Sequence, residues 1–251
     1  MLTVGVDLAA EPAGTAFATI EWSPGAAALR EVVVGADDEV LLDRIGRAAK
    51  AGIDCPLGWP AAFVEFVRAH HDGHVTVPAG VAGLVWRRRL AYRVTDEVVR
   101  TATGRLPLSV AADRIGHTAM RAAGLLSALA RAGRPVDRAG TGVVVEVYPA
   151  ASLRIWGLPG NRYKGTANLA RLADLVDGLA ERAGWLDLGP YEALCRRSDH
   201  AVDAVVAAIA ARCAAIGAAI EPAADQRRAA NTEGWIALPT IALEDARMVA
   251  G

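Results

Sequence analysis

At 251 residues, with 53% hydrophobic and 22% charged side chains, the chain has apolar surface for a sizeable core, which excludes a largely disordered polymer. A formal net charge of −1 excludes nucleic-acid binding by overall charge and leaves a local basic patch for that purpose. The three cysteines, Cys55, Cys195 and Cys213, lack metal-type spacing and are odd in number, which excludes a complete disulfide framework and fits a reducing, cytoplasmic location.

The N-terminus MLTVGVDLAA has no charged leader, and charges interrupt every apolar run before membrane-spanning length. Neither a signal peptide nor a transmembrane helix is expected. Residues 2–8 read as a buried strand, followed by turn chemistry in AAEPAG. A second strand is expected over 15–22 and a third over 29–35, joined by the SPG turn. Asp37 and Asp38 are placed to cap a helix over 39–50. AGIDC, 51–55, is then a fourth strand; because a helix leads into it, it runs parallel to a neighbour. Residues 60–69 are helical in pattern, 71–110 irregular, and 111–133 a long helix. GVVVEVY, 142–148, is the clearest strand. Helices follow over 168–183 and 200–219, with a last short strand in GWIAL, 234–238. Three consecutive strands extended through crossover helices give an α/β mixed sheet with helices on its faces. Sites in such sheets form beyond the carboxyl ends of the parallel strands.

Carboxylates stand at those ends. Asp7 lies within or at the end of the first strand, and Asp54 ends the fourth in GIDCPLGWP, where Pro56 and Pro60 fix the exit. Glu146 interrupts the strand before Pro149. A charge in a buried strand costs several kcal/mol unless it is paired or binds a cation. Late in the chain, SDHAVDAVVAAIAA adds Asp199 and Asp203, four residues apart and so on one helix face. Oxygen ligands without His or Cys suit Mg²⁺ or Mn²⁺, and carboxylates holding such ions act on phosphodiesters. Each position also has a structural reading. Asp54 suits a turn before Pro56, Glu146 suits a partner for a buried arginine, and Asp199 suits a helix N-cap.

Arg93, Asp96 and Arg100 in RVTDEVVR share helical spacing. The arginines suit phosphate contacts at the mouth of a site, or inter-helix salt bridges. WRRRLAYR reads either as a stacking, basic strand-binding patch or as a solvated helix face. Tyr148 and Lys164, after the Glu146 strand, are placed to orient a phosphate; Tyr148 reads equally as a core residue. HHDGH, 70–74, lacks helical metalloprotease spacing and is taken as a polar loop. No GxSxG, GxxxxGK[ST] or GxGxxG occurs.

GVDLA, GIDCPLGWP, RVTDEVVR, VEVYPAASL with the following Tyr163 and Lys164, SDHAVDAVVAAIAA and EGWIALP, in this order and spacing, resemble the domain of unknown function 429 family over about residues 2–239. That family is described as predicted nucleases of ribonuclease H-like fold. The resemblance implies a mixed five-stranded sheet, three strands antiparallel and two parallel, with helices on both faces. It implies one domain over 1–239 with a helical or irregular insertion around 60–135, and a tail over 240–251. Asp7 matches the first-strand aspartate of that fold, Asp54 or Glu146 the second carboxylate, and Asp203, with Asp199 near it, the late helix acid of Holliday-junction resolvases.

The expectation is therefore a Mg- or Mn-dependent nuclease. Asp7, Asp54, Glu146 and Asp203 would be catalytic, and the same four with Asp199 would hold metal. Arg93, Asp96, Arg100, Tyr148 and Lys164 would meet a nucleic acid, with DNA and RNA both open. Two alternatives stand beside it. One is a non-catalytic scaffold in which Lys164 replaces the metal as an internal cation. The other is an actin-like ATP-dependent phosphotransferase, whose first strand and turn GVDLAAEPAGTA resembles; a second glycine-rich phosphate turn is missing.

Overall fold

β-branched and small apolar residues alternate through the first strands, and their two faces pack against different helices. The computed structural model describes residues 1–75, 77 and 83–248. Strands β1 (Leu2–Asp7), β2 (Ala16–Ser23) and β3 (Ala26–Val34) form an antiparallel meander. Helix α1 (Asp38–Arg47) leads into β4 (Lys50–Asp54), which lies parallel to β1. Four helices, α2 (Ala61–His71), α3 (Gly83–Ala91), α4 (Val94–Thr103) and α5 (Gly116–Arg131), separate β4 from β5 (Val144–Glu146), parallel to β4. Then come α6 (Pro149–Ile155), α7 (Leu169–Arg182), β6 (Leu186–Asp187), α8 (Glu192–Cys195), α9 (Asp199–Ala215) and α10 (Arg227–Glu233). The strand order is β5-β4-β1-β2-β3-β6.

The sheet is thus mixed and six-stranded, one strand more than expected. The addition, β6, has two residues and pairs in parallel with β3 at Ala27 and Ala28; so short a strand has no period to read. The stretch expected to be irregular holds α3 and α4, while its residues 76 and 78–82 lie outside the described residues, as do 249–251 of the tail. Helix α4 starts where Asp96 accepts a bond from the Arg93 N–H at 2.9 Å. Asp37 caps α1 as expected, accepting from Val40 N at 2.9 Å. That helix stops at Arg47 rather than running to 50, because Lys50 belongs to β4, where its ammonium donates to the Gly140 and Gly142 carbonyls at 2.5 and 2.7 Å. Residues 234–238 lie along β5 as an isolated parallel bridge between Glu146 and Ile236. No helix among the described residues is long and apolar enough to cross a membrane.

Val4, Val6 and Phe17 pack on one face against Leu41, Ile45, Leu125 and Leu129 of α1 and α5. Ala16, Ala18, Ile20 and Trp22 face the other way, in one apolar cluster with residues of α9 and α7. Helix α9 is buried without interruption from Ala201 to Cys213, as an apolar helix between two layers must be. Its approach to the sheet is set by two glycines that face each other across the β1–β4 ladder, Gly5 and Gly52. A Cβ on Gly5 would lie 2.0 Å from the Ala204 carbonyl oxygen and 2.2 Å from Ala208 N; on Gly52 it would lie 2.6 Å from the Ala207 oxygen. Helix backbone rests directly on strand backbone.

Gly5→Ala must therefore push α9 off the sheet, with an expected loss of at least about 1–3 kcal/mol. Gly46→Ala, inside α1 with open space around the new methyl, should instead stabilise by roughly 0.5–1 kcal/mol. Urea unfolding of both variants checks this; equal stabilities would refute the close-approach account.

Candidate metal centre

Alternation along a strand puts residues i and i+2 on one face, so Asp7 follows Gly5 and Asp54 follows Gly52 on the α9 side. The register pairs Asp7 with Asp54 directly. Asp203, on the α9 turn just before Ala204, is carried to the same point by the glycine contact. Asp7, Asp54 and Asp203 each present a carboxylate oxygen, and these oxygens lie within 4.8 Å of one another. Asp203 is 1% exposed.

The surrounding groups answer part of this charge. Tyr163 Oη donates to Asp203 Oδ1 at 2.6 Å, and the Lys164 ammonium stands 2.6 Å from Asp203 Oδ2. That Oδ2 is buried and accepts no hydrogen bond of good geometry among the described residues. His200 Nδ1 lies 2.6 Å from Asp7 Oδ2. Burial, and next the Asp7 carboxylate, push the Asp54 acid well above the usual range. Burial likewise raises Asp203 to about 6, opposed by Lys164 and helped by Asp7. The hydrogen bond to Asp7 raises His200 against the pull of its own burial. Burial lowers the Lys164 ammonium, and the Asp203 and Asp54 charges more than reverse this.

A cluster of three acids, of which Asp54 has no hydrogen-bond or ion-pair partner among the described residues, fits a hard divalent cation. Its donors are all oxygen, and their mutual repulsion is what such an ion relieves.

Glu146 stands outside this cluster. Its Oε1 accepts from Arg93 Nη2 at 2.7 Å; its Oε2 accepts from Arg93 Nη1 at 2.8 Å and Leu57 N at 3.0 Å. Arg93 is 1% exposed, and its remaining donors go to Asp96 and the Glu233 carbonyl. The pair lines the floor of the cavity, but both charges are satisfied internally, so neither phosphate gripping by Arg93 nor metal ligation by Glu146 follows from this geometry. Asp96 is fully buried in the same network. Arg100 is exposed and bonded to Glu97 at 2.7 Å. Asp199 accepts from Gly165 N at 3.0 Å, away from the cluster, and the N-cap of α9 is Ser198. Tyr148 precedes α6 and lines the cavity with Lys164. His70 and His71 end α2, and Arg88 of WRRRLAYR pairs with Glu97.

Sequence reasoning passed over His200 and the cavity arginines Arg105, Arg114 and Arg162. The spacing of His200 and Asp203, three apart on one helix, carried the first signal; nothing in the local sequence marked the arginines.

Two outcomes follow from these environments. Arg93→Met leaves Glu146 and Asp96 buried without a counter-ion and should cost about 3–5 kcal/mol in urea unfolding. For the centre itself, acids raised on folding contribute stability below their unfolded pKa near 4 and lose it as pH rises through the folded value; a raised histidine loses its contribution in the same direction. Without divalent cation, and with Lys164 as the facing cation, stability should fall from pH 5 to pH 8, with Asp203 accounting for on the order of 1–1.5 kcal/mol. Asp203→Asn should flatten that profile. An unchanged slope in thermal melts of the variant would refute the assignment.

No curated protein and no solved structure matches the chain. A family model does: "Protein of unknown function (DUF429)" matches residues 5–227. The carboxylate centre and the glycine row beneath it lie inside that span, and the chain belongs to the DUF429 family.

Proposed function

We propose that this protein is a metal-dependent phosphodiester hydrolase, a nuclease, of ribonuclease H-like fold. The observation that carries the reading is the convergence of Asp7, Asp54 and Asp203 at the carboxyl ends of two neighbouring parallel strands and on the helix packed beneath them. The fold reading is supported by the meander β3-β2-β1 extended by parallel β4 and β5. Basic side chains around the same cavity, Arg105, Arg114, Arg162 and Lys164, suit a phosphate-bearing substrate.

Asp7, Asp54 and Asp203 would hold Mg²⁺ or Mn²⁺. Such an ion supplies Lewis acidity toward a phosphoryl oxygen and lowers the pKa of a bound water. His200, whose protonated form is favoured by its contact with Asp7 through Nδ1, would offer a proton from Nε2 to the departing oxygen. Lys164 has a side chain 57% exposed, so its ammonium is free to exchange between Asp203 and a substrate phosphate.

One observation favours a second reading. The ammonium of Lys164 already faces Asp203 at 2.6 Å, which is what a scaffold with an internal cation in place of metal requires. The phosphotransferase reading gains no comparable support.

Calorimetric titration with Mn²⁺ separates the two. Saturable binding is expected in the wild type, lost in Asp203→Asn, and tightened roughly threefold to tenfold in Lys164→Met, where the competing ammonium is gone. Single-stranded, duplex and junction DNA and RNA are then screened with Mn²⁺, and cleavage should disappear in Asp203→Asn. No Mn²⁺ binding in either wild type or Lys164→Met would favour the scaffold.

A further inference from the structure

The cavity that opens onto Asp7 and Asp54 has a volume of about 640 Å³. That is the scale of small-ligand pockets, roughly 300–1,000 Å³, and it has room for a mono- or dinucleotide rather than a duplex. The molecule's net charge of −1 agrees with a short ligand, since a long duplex is held by neutralising many phosphates along a basic face.

The lining is asymmetric. Its acids are Asp7, Asp54 and Glu146, and Glu146 is matched by Arg93. Lys164 faces Asp203. Three further cations remain, Arg105, Arg114 and Arg162, and none of them pairs with a carboxylate among the described residues. Arg105 donates from Nη2 to the Gly160 carbonyl at 2.8 Å, and its buried Nε has no partner among the described residues. Asp113, the chain neighbour of Arg114, is turned to Ser109 N at 2.7 Å. Arg162 has φ 57, the one non-glycine residue with positive φ among the described residues. A strained residue of this kind persists only where its surroundings hold it, and such residues gather at ligand clamps. Here the surroundings are plain: the next two residues, Tyr163 and Lys164, both contact Asp203. The loop that presents Arg162 is pinned to the carboxylate centre.

We propose that Arg105, Arg114 and Arg162 form a second phosphate subsite in the carboxylate cavity, one that selects a short nucleotide carrying a terminal phosphomonoester besides the scissile phosphodiester. This deepens the nuclease reading and rests on it for the nucleotide nature of the ligand. A terminal phosphate carries close to two charges near neutral pH, where an internal diester carries one. Guanidinium groups match its oxygens in planar, forked pairs. Leu8, Pro107, Leu108 and Ile115 give the same cavity an apolar wall for a base and sugar.

The test is calorimetric binding of a thymidine dinucleotide with a 5′-phosphate, with a 3′-phosphate, and with neither, in Ca²⁺ to slow turnover. The variant combines Arg114→Ala with Arg162→Gly; both side chains are exposed, and glycine relieves the positive φ. In the wild type one terminal phosphate should tighten binding by about tenfold or more. In the variant the preference should fall to about threefold or less, with Mn²⁺ affinity unchanged. Equal wild-type affinity for all three probes, no measurable binding of any, or a preference retained in the variant overturns the subsite. Hydrolysis in Mn²⁺ is followed separately. An arginine-dependent preference without hydrolysis of the dinucleotides or of any DNA or RNA in the screen keeps the subsite and refutes the nuclease; hydrolysis without the preference does the reverse.

Discussion

Direct contact between the backbone of α9 and the backbones of β1 and β4 is the constraint on which the centre depends. Gly5 and Gly52 are paired in the ladder, and any Cβ there would occupy the space of the Ala204, Ala207 and Ala208 backbone. The alanines of α9 and the small residues Ala16 and Ala18 of β2 extend the same thin interface. Without it the helix would ride higher on the sheet, and Asp203 would part from Asp7 and Asp54. A packing decision at two glycines thus becomes an electrostatic one two residues later, where three acids are forced within 4.8 Å.

A second buried charge group supports the first from behind. Arg93 ties Glu146 of β5 to Asp96 of α4 and to the Glu233 carbonyl at the end of α10. Glu146 in turn accepts from Leu57 N, which fixes the loop after Asp54. Glu233 reaches the N-termini of two helices, accepting from Ala61 N at 2.9 Å and Val94 N at 3.0 Å. The insertion between β4 and β5 is therefore fastened to the sheet by hydrogen-bonded ions. Such ions add little net stability but penalise every arrangement that leaves one of them unpaired.

Much of this was legible in the sequence, and the exceptions have physical causes. Asp7 and Asp54 announced themselves as acids ending apolar strands. Their register was written in the repeated GVD and GID, a pattern whose meaning appears only when the two glycines are seen under one helix. Glu146 has the same local signature, an acid in a run of valines, yet its partner Arg93 lies 53 residues away. Strand sequence alone does not distinguish an acid awaiting a cation from one that has an arginine. β6 was too short to carry a period. Arg105, Arg114 and Arg162 lie on separate loops around one cavity, and their convergence is purely tertiary.

The two charge groups also show why one is read as functional and the other as structural. Arg93 meets Glu146 and Asp96 with every guanidinium donor used, so nothing is left to attract a ligand. The centre is the opposite case. Two of its acids are pushed upward by burial and by the Asp7 carboxylate, Asp54 makes no hydrogen bond or ion pair among the described residues, and the one ammonium present comes from a largely exposed lysine. A fold that needed only to neutralise Asp203 would do so more cheaply with a buried arginine, as it does for Glu146 some residues away. Keeping three crowded acids, a movable lysine and a strained arginine loop around one cavity costs stability that the rest of the core must supply. That expense is intelligible if a cation and a phosphate complete the arrangement.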